Sequence, residues 1–273
     1  PGKTNELVIA VSNIKRISSY ARLGGIIEPV YLIDSGSEGR INDLFITEGD
    51  NLQEAVWKTE LKIPFPNMSL PESRLKWEIK SAASSEVIAG GIVKVKPFSG
   101  EIREEWKIAA DKLKPWSPES PNLYTAELSW EKNDGTLLDR QVRQFGLRKW
   151  SYKGKELELN GKPIFLRQRF ALGHIPPHYR YPLNKEYWLK YFRMLKEAGY
   201  NSLEYGWTLS PNAIEAADEV GLILQVAAGT ALSQREVCGK VLKLEDLWKG
   251  IAQLTRIHPS VAIICFGGEM NYY

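Results

Sequence analysis

One glutamate in this sequence stands where a catalytic acid would stand. Glu269 follows Gly267 and Gly268 at the end of the run Val261-Ala262-Ile263-Ile264-Cys265-Phe266, which is apolar without alternation. A strand of that composition is covered on both faces, and a carboxylate just past its end sits at the carboxyl rim of an α/β fold. The chemistry open to it is proton transfer, provided that burial or a neighbouring carboxylate raises its pKa. The plainer alternative is a solvated loop glutamate. His174 and His178, in Gly173-His174-Ile175-Pro176-Pro177-His178, have a spacing that allows a shared metal ion. With no carboxylate or thiol beside them, a substrate-loop or surface position is the expectation, and no metal site is assigned. His258 falls at a helix carboxyl end and reads as structural, interacting with the dipole and the last carbonyls. Cys238 and Cys265 support neither a zinc site nor a disulfide framework.

Positioning such groups requires a sheet with helices. After Trp150 the sequence alternates between the two: a strand at 164–167, a helix from Asn184 with Trp188, Tyr191, Phe192 and Leu195 on one face, and Gly199 to end it. A strand at 201–205 follows. Ser210-Pro211 caps a helix that Gly221 stops, and 222–227 is the next strand. A third helix, with Leu244, Leu247, Trp248, Ile251 and Leu254 on one face, leads to the strand before Glu269. Four βα-type strands make half of an eight-stranded barrel. Its fourth strand would have an unpaired edge, so these residues are expected to be a fragment of a longer chain or the ordered part of one. Before this region, 41–147 holds short, partly alternating runs at 55–63, 75–80, 88–96 and 123–130, with the hairpin signature Asn133-Asp134-Gly135. This predicts a β-sandwich of about 110 residues, in the immunoglobulin-like size range. Two short strands around Gly24-Gly25 are expected between Glu6 and Asp34.

Composition excludes several classes of function. The 273 residues are 43% hydrophobic and 25% charged, as in ordinary globular proteins. The 36 basic and 33 acidic residues give a net charge of +3 with no dense Lys/Arg block, so nucleic acid is not an expected partner. No stretch reaches the roughly 18 apolar residues of a membrane helix, and no signal-peptide succession follows Pro1-Gly2. Nine Trp and twelve Tyr suit sugar faces and sandwich cores equally.

Four segments carry a family resemblance. Pro115-Trp116-Ser117-Pro118-Glu119-Ser120-Pro121-Asn122-Leu123-Tyr124 resembles the "WSPExPxLY" segment of glycoside hydrolase family 2, which includes β-galactosidases, β-glucuronidases and β-mannosidases. Phe145-Gly146-Leu147-Arg148-Lys149 resembles that family's "FGFRK" junction. Asn160-Gly161-Lys162-Pro163-Ile164-Phe165-Leu166-Arg167 is similar to the hairpin and strand that open its barrel, and the segment ending in Glu269 completes the series in family order. Gly25-Ile26-Ile27-Glu28-Pro29-Val30 resembles the end of the family's jelly-roll domain. The resemblance implies a multidomain β plus α/β chain: 1–34 as the end of a jelly-roll sugar-binding domain, 35–148 as an immunoglobulin-like β-sandwich, and 149–273 as the first half of a (β/α)8 TIM barrel. It implies a retaining glycosidase acting on β-linked oligosaccharides or polysaccharides, with Glu269 as general acid/base and a nucleophile outside these residues, so that this stretch alone is inactive. Retention needs two carboxyl groups about 5 to 5.5 Å apart. The partner implied is a carbohydrate; no cofactor is implied, homo-oligomerisation is left open, and a periplasmic or extracellular location rests on the resemblance alone.

Departures from the family pattern are equally informative. Gly268 stands where the family has the asparagine that holds a sugar hydroxyl. Glu204 stands where the second strand of the family ends in an arginine, Trp207 replaces a histidine, and Val226-Ala227 replaces an acidic pair. Glu204 is expected either to pair with Arg167 or Arg169 in a structural ion pair or to hold a sugar hydroxyl as well. Trp207 either stacks on a pyranose or fills space, and His174 joins Gly268, Glu204 and Trp207 as a substrate-contact candidate. A rebuilt pocket leaves a second reading open: a carbohydrate-binding or scaffolding relative without turnover.

Overall fold

The computed structural model describes residues 7–9, 30, 38–65, 67–171, 184–205, 210–227, 236–237, 240–241 and 244–265. The chain divides into two compact units, 1–33 and 34–273. In the first, Leu7, Val8, Ile9 and Val30 are exposed, and the strands expected around Gly24-Gly25 lie outside the described residues.

In the second unit, nine strands occupy 40–145: β1 (Arg40–Glu48), β2 (Glu54–Lys62), β3 (Ser69–Leu70), β4 (Ser73–Ser81), β5 (Val87–Val95), β6 (Phe98–Ser99), β7 (Glu101–Ala109), β8 (Tyr124–Lys132) and β9 (Leu137–Phe145). They pair antiparallel into sheets of order β1-β2-β7 and β5-β4-β8-β9, with β3 and β6 a short pair between the longer strands in sequence. The two large sheets share one core, to which Leu44, Trp57 and Leu61 come from the first and Leu75, Trp77, Leu128 and Trp130 from the second. Strict alternation produces this: β8 buries Tyr124, Ala126, Leu128 and Trp130 and turns the residues between them outward. Trp57 is fully buried, with ring centroids 5.4 Å from Trp77 and 5.5 Å from Trp106. The β8–β9 hairpin turns where expected, with Gly135 at φ +90° and Asp134 Oδ1 accepting from Thr136 N at 2.8 Å.

A meander of β10 (Trp150–Lys153), β11 (Glu156–Leu159) and β12 (Lys162–Pro163) follows. Its second turn places Asn160 and Gly161 at positive φ, as a two-residue hairpin requires. Then come β13 (Gln168–Ala171), α1 (Lys185–Glu197), β14 (Ser202–Tyr205), α2 (Pro211–Val220), β15 (Ile223–Ala227), the short pair β16 (Glu236–Val237) and β17 (Lys240–Val241), α3 (Leu244–Thr255) and β18 (Val261–Cys265). Strands β13-β14-β15-β18 form one parallel sheet in sequence order. Asn184 caps α1 by accepting from Tyr187 N, and Ser210 caps α2 ahead of Pro211. Trp188, Phe192 and Leu195 of α1 and Ala213, Ile214 and Ala217 of α2 pack on Leu203, Leu224 and Val226 of the sheet.

Two expectations need correcting. The first parallel strand is not 164–167 but Gln168–Ala171. Ile164 and Leu166 instead pack with Trp116, Leu159 and Ile223 beneath the sheet. Asn201 holds that lead-in: its Oδ1 accepts from Arg167 N at 2.7 Å and its Nδ2 donates to Phe165 O at 2.9 Å. The apolar face of α3 is also incomplete: Ile251 packs against the helix-and-sheet core, whereas Leu254 is 47% exposed.

Trp116 joins the antiparallel and parallel parts of this unit. It is fully buried; its backbone N donates to Leu147 O at 2.7 Å, its Nε1 to Asp218 O at 2.8 Å, and its O accepts from Asn160 Nδ2 at 2.9 Å. Next to it, Lys196 Nζ donates to Pro118 O at 2.5 Å and Val220 O at 2.8 Å, and burial holds this amine below the usual lysine range. Arg256 pairs with Asp43 and lies 4.5 Å over the Phe45 ring. The segments that carry the family motifs are therefore the mortar that fixes the parallel sheet to the sandwich.

Candidate functional site

Strand parity decides which groups face which way. Leu203 packs against α1 and α2, so Ser202 and Glu204, its neighbours along β14, point to the opposite face. Gln168 of β13 shares that face, because its Nε2 donates to Ser202 Oγ at 3.3 Å and to Gln225 Oε1 of β15 at 3.2 Å. Moving along this face toward the carboxyl ends, the environment changes. First come Ile223 and its apolar neighbours Trp116 and Leu159, then the Gln168–Ser202–Gln225 hydrogen bonds. Beyond them lies the cross-strand row Phe170, Glu204 and Gln225, in register.

Glu204 is the one candidate site residue among those described. It is half-buried, and among the described residues it has neither an ion-pair nor a hydrogen-bond partner. The expected pairing with Arg167 or Arg169 is not formed. Arg167 Nε donates to Gly199 O at 2.7 Å, and Arg169 shares the parity of Arg167, on the side of the sheet that carries Tyr191 of α1. Burial, the larger effect, raises the Tyr191 hydroxyl above its usual value, while Arg169 pulls it slightly back. Glu269, Gly268, Trp207 and His174 lie outside the described residues, as does His178. The described part of the strand leading to Glu269 is β18, whose last residue Cys265 is in register with Ala227. From β14 to β18 is two strand spacings, roughly 10 Å.

Gln168, Gln225 and Phe170 escape a reading of the sequence, although a signal exists. Gln225 is the one polar side chain in the run Leu222-Ile223-Leu224-Gln225-Val226. In a parallel strand packed against helices, such a residue must face the other side or lose its hydrogen bonds.

The amino-terminal side of β18 has its own polar anchor. Asp218 of α2 is 2% exposed; its Oδ1 accepts from Ser260 N at 3.0 Å and its Oδ2 lies 2.6 Å from His258 Nδ1. His258 is thus structural, but its ring engages a buried carboxylate on another helix rather than the carbonyls of α3; only its backbone N bonds there, to Thr255 O. Among the described residues no group of three or more His, Cys, Asp or Glu side chains is placed to hold a metal ion, and no helix is long and apolar enough to cross a membrane.

Comparison with known proteins gives this geometry a context. Residues 39–148 match the family described as glycosyl hydrolases family 2. A β-galactosidase of Clostridium acetobutylicum is 30% identical over 175 residues, which is 60% of this chain and 18% of that protein. A β-galactosidase of Alteromonas mediterranea is 26% identical over 170 residues, 58% of this chain and 16% of that protein. This chain thus spans less than a fifth of the length of these curated relatives. Among solved structures, a β-D-mannosidase from Dictyoglomus thermophilum aligns with a TM-score of 0.69 at 17% identity, covering 85% of this chain and 30% of that one. A Bacteroides uniformis β-glucuronidase aligns with a TM-score of 0.67 at 21% identity over 96% of this chain and 32% of that one. Residues 39–148 thus match a domain of glycosyl hydrolases family 2, and the fold of this chain is shared with these solved structures.

Proposed function

We propose that this chain is part of a retaining glycosidase that acts on β-linked sugars, with Glu269 as general acid/base. The observation that carries this reading is the continuity of the family-matched sandwich with a parallel βα sheet whose strand β18 leads directly to Gly267-Gly268-Glu269. On this reading 35–148 is an immunoglobulin-like domain, 149–273 contributes four strands of an eight-stranded barrel, and 1–34 ends a sugar-binding domain. Glu269 protonates the leaving oxygen and later activates water. The attacking carboxylate, about 5 to 5.5 Å away in a retaining site, comes from outside residues 1–273. Gly268, Trp207 and His174 line the substrate path, with Glu204 at the rim. The partner is a carbohydrate, and no cofactor takes part.

The departures at Gly268, Glu204 and Val226-Ala227 favour a second reading, in which the fold binds carbohydrate without turnover. Hydrolysis of aryl β-glycosides by the full-length protein, with the product anomer followed by NMR, separates the two. An active enzyme yields retained configuration, and Glu269→Gln lowers kcat about 10²- to 10⁴-fold on substrates with poor leaving groups. Unchanged turnover in that variant would remove Glu269 from the mechanism. Sugar binding without hydrolysis in the parent would establish the second reading.

A further inference from the structure

The face of the parallel sheet that carries Glu204 combines three chemistries in one row. Phe170, 45% exposed, Glu204 and Gln225 occupy matching positions on β13, β14 and β15. Adjacent strands lie about 4.8 Å apart, so the row spans about 10 Å, enough for one pyranose ring. A phenyl ring offers an apolar surface to the C–H face of a sugar. An ionised carboxylate accepts from hydroxyl groups and donates nothing. Gln225 is steadied by Gln168 through one end of its amide, and the other end is uncommitted among the described residues. This amide is held in turn by the Gln168 bond to Ser202, which is fully buried. The row thus rests on a tier of fixed hydrogen bonds rather than on a loose surface.

Charge then narrows the ligand. Among the described residues no cation neutralises Glu204, since Arg167 Nε is engaged by Gly199 O and Arg169 has the parity of the helix-packed face. A sugar carboxylate brought against a half-buried glutamate meets like charge in a medium less polar than water. We propose that Phe170, Glu204 and Gln225 form a specificity subsite that accepts a neutral β-linked pyranoside through adjacent hydroxyls and rejects a uronide. This inference rests on the glycosidase reading and names the substrate class of that same site.

The test is direct binding to the full-length protein, which needs no turnover. Titration calorimetry at pH 7 with methyl β-galactopyranoside, methyl β-mannopyranoside and methyl β-glucuronide should show at least one neutral glycoside binding about 30-fold more tightly than the uronide. Glu204→Gln should close that gap by about tenfold, mainly by gaining uronide affinity. Phe170→Ala should weaken neutral and charged ligands alike, leaving the ratio unchanged. Circular dichroism of each variant confirms that it is folded. Equal affinity for uronide and neutral sugar, an unchanged ratio in Glu204→Gln, or no binding of either class overturns the proposal. If Glu269→Gln leaves turnover intact while Glu204→Gln shifts the ratio, the acid/base assignment fails and the subsite stands. If Glu269→Gln loses turnover while Glu204→Gln shifts nothing, the acid/base assignment stands and the subsite fails.

Discussion

The sandwich at 40–145 and the parallel sheet at 168–265 use inward-facing positions for opposite ends. Inside the sandwich those positions hold Trp57, Trp77, Leu128 and Trp130, and charges such as Arg74, Lys80 and Glu127 are turned outward into cross-strand pairs. In the parallel sheet one face is equally apolar against the helices, but the other holds Gln168, Ser202, Gln225 and a carboxylate with no partner among the described residues. A sheet that needed only stability would not place a half-buried Glu204 on that face, because desolvating it has a cost that no described residue offsets. The difference teaches where to look for function: at the polar face whose carboxylate has no partner among the described residues.

Removing a sandwich tryptophan should break the comparison on the stability side. Trp57→Ala deletes a fully buried ring that touches both Trp77 and Trp106, so it should cost about 3 to 5 kcal/mol, visible as a lower urea midpoint by tryptophan fluorescence. A loss below about 1 kcal/mol would mean that the rings repack and that the sandwich is not the stable frame of the molecule.

How much of the molecule is readable from the residues follows the same division. The strands at 55–63, 75–80, 88–96 and 123–130 and the Asn133-Asp134-Gly135 turn are found in place because alternation and positive-φ turn residues are local signals. The helix start at Asn184 and the cap at Ser210 are legible for the same reason. The first parallel strand starts four residues later than its sequence suggests, because Ile164-Phe165-Leu166 reads as a strand while the partner that holds it as a lead-in, Asn201, lies more than thirty residues away. Glu204 stands out in the sequence as unusual, yet the arginines expected to pair with it do not. Which face an arginine takes depends on where its strand starts, and that start is set by the distant Asn201. Glu269, Gly268, Trp207 and His174 stay sequence-based candidates, since the described residues end at Cys265 on that strand and do not include 172–183 or 206–209.

A smaller effect probes the joint between the two regions. Gly221 ends α2 at φ +77°, and a Cβ there would lie 2.5 Å from Pro118 O, the carbonyl that also accepts from Lys196 Nζ. Gly221→Ala therefore combines left-handed strain with a backbone clash and should cost about 2 kcal/mol. Because the clash is with the loop that carries Trp116, the variant should also raise hydrogen exchange at Trp116 Nε1, which donates to Asp218 O on α2. Lost stability with unchanged exchange there would show that the strain stays within the helix cap.

The smallest effect lies within the sandwich, where two glutamates respond to pH with opposite sign. Glu127 accepts from Arg140, and less strongly from Lys80, and these bonds hold its carboxyl below the ordinary value of 4.5. A carboxylate whose pKa is lowered by folding adds stability above the ordinary value, and that stability is lost as pH falls through the folded one. Glu104 is raised instead, by burial beside β2, with Lys96 offsetting part of the shift. Its ionised form is the disfavoured one, so its penalty sets in as pH rises through the folded value and is absent below 4.5. Solvent screening limits each to a few tenths of a kcal/mol. Unfolding midpoints between pH 3 and pH 7 should therefore fall less steeply on the acid side in Glu127→Gln than in the parent, whereas Glu104→Gln should gain stability at pH 7 and none at pH 3. The same slope in both variants would mean that neither environment distinguishes its carboxylate from an exposed one.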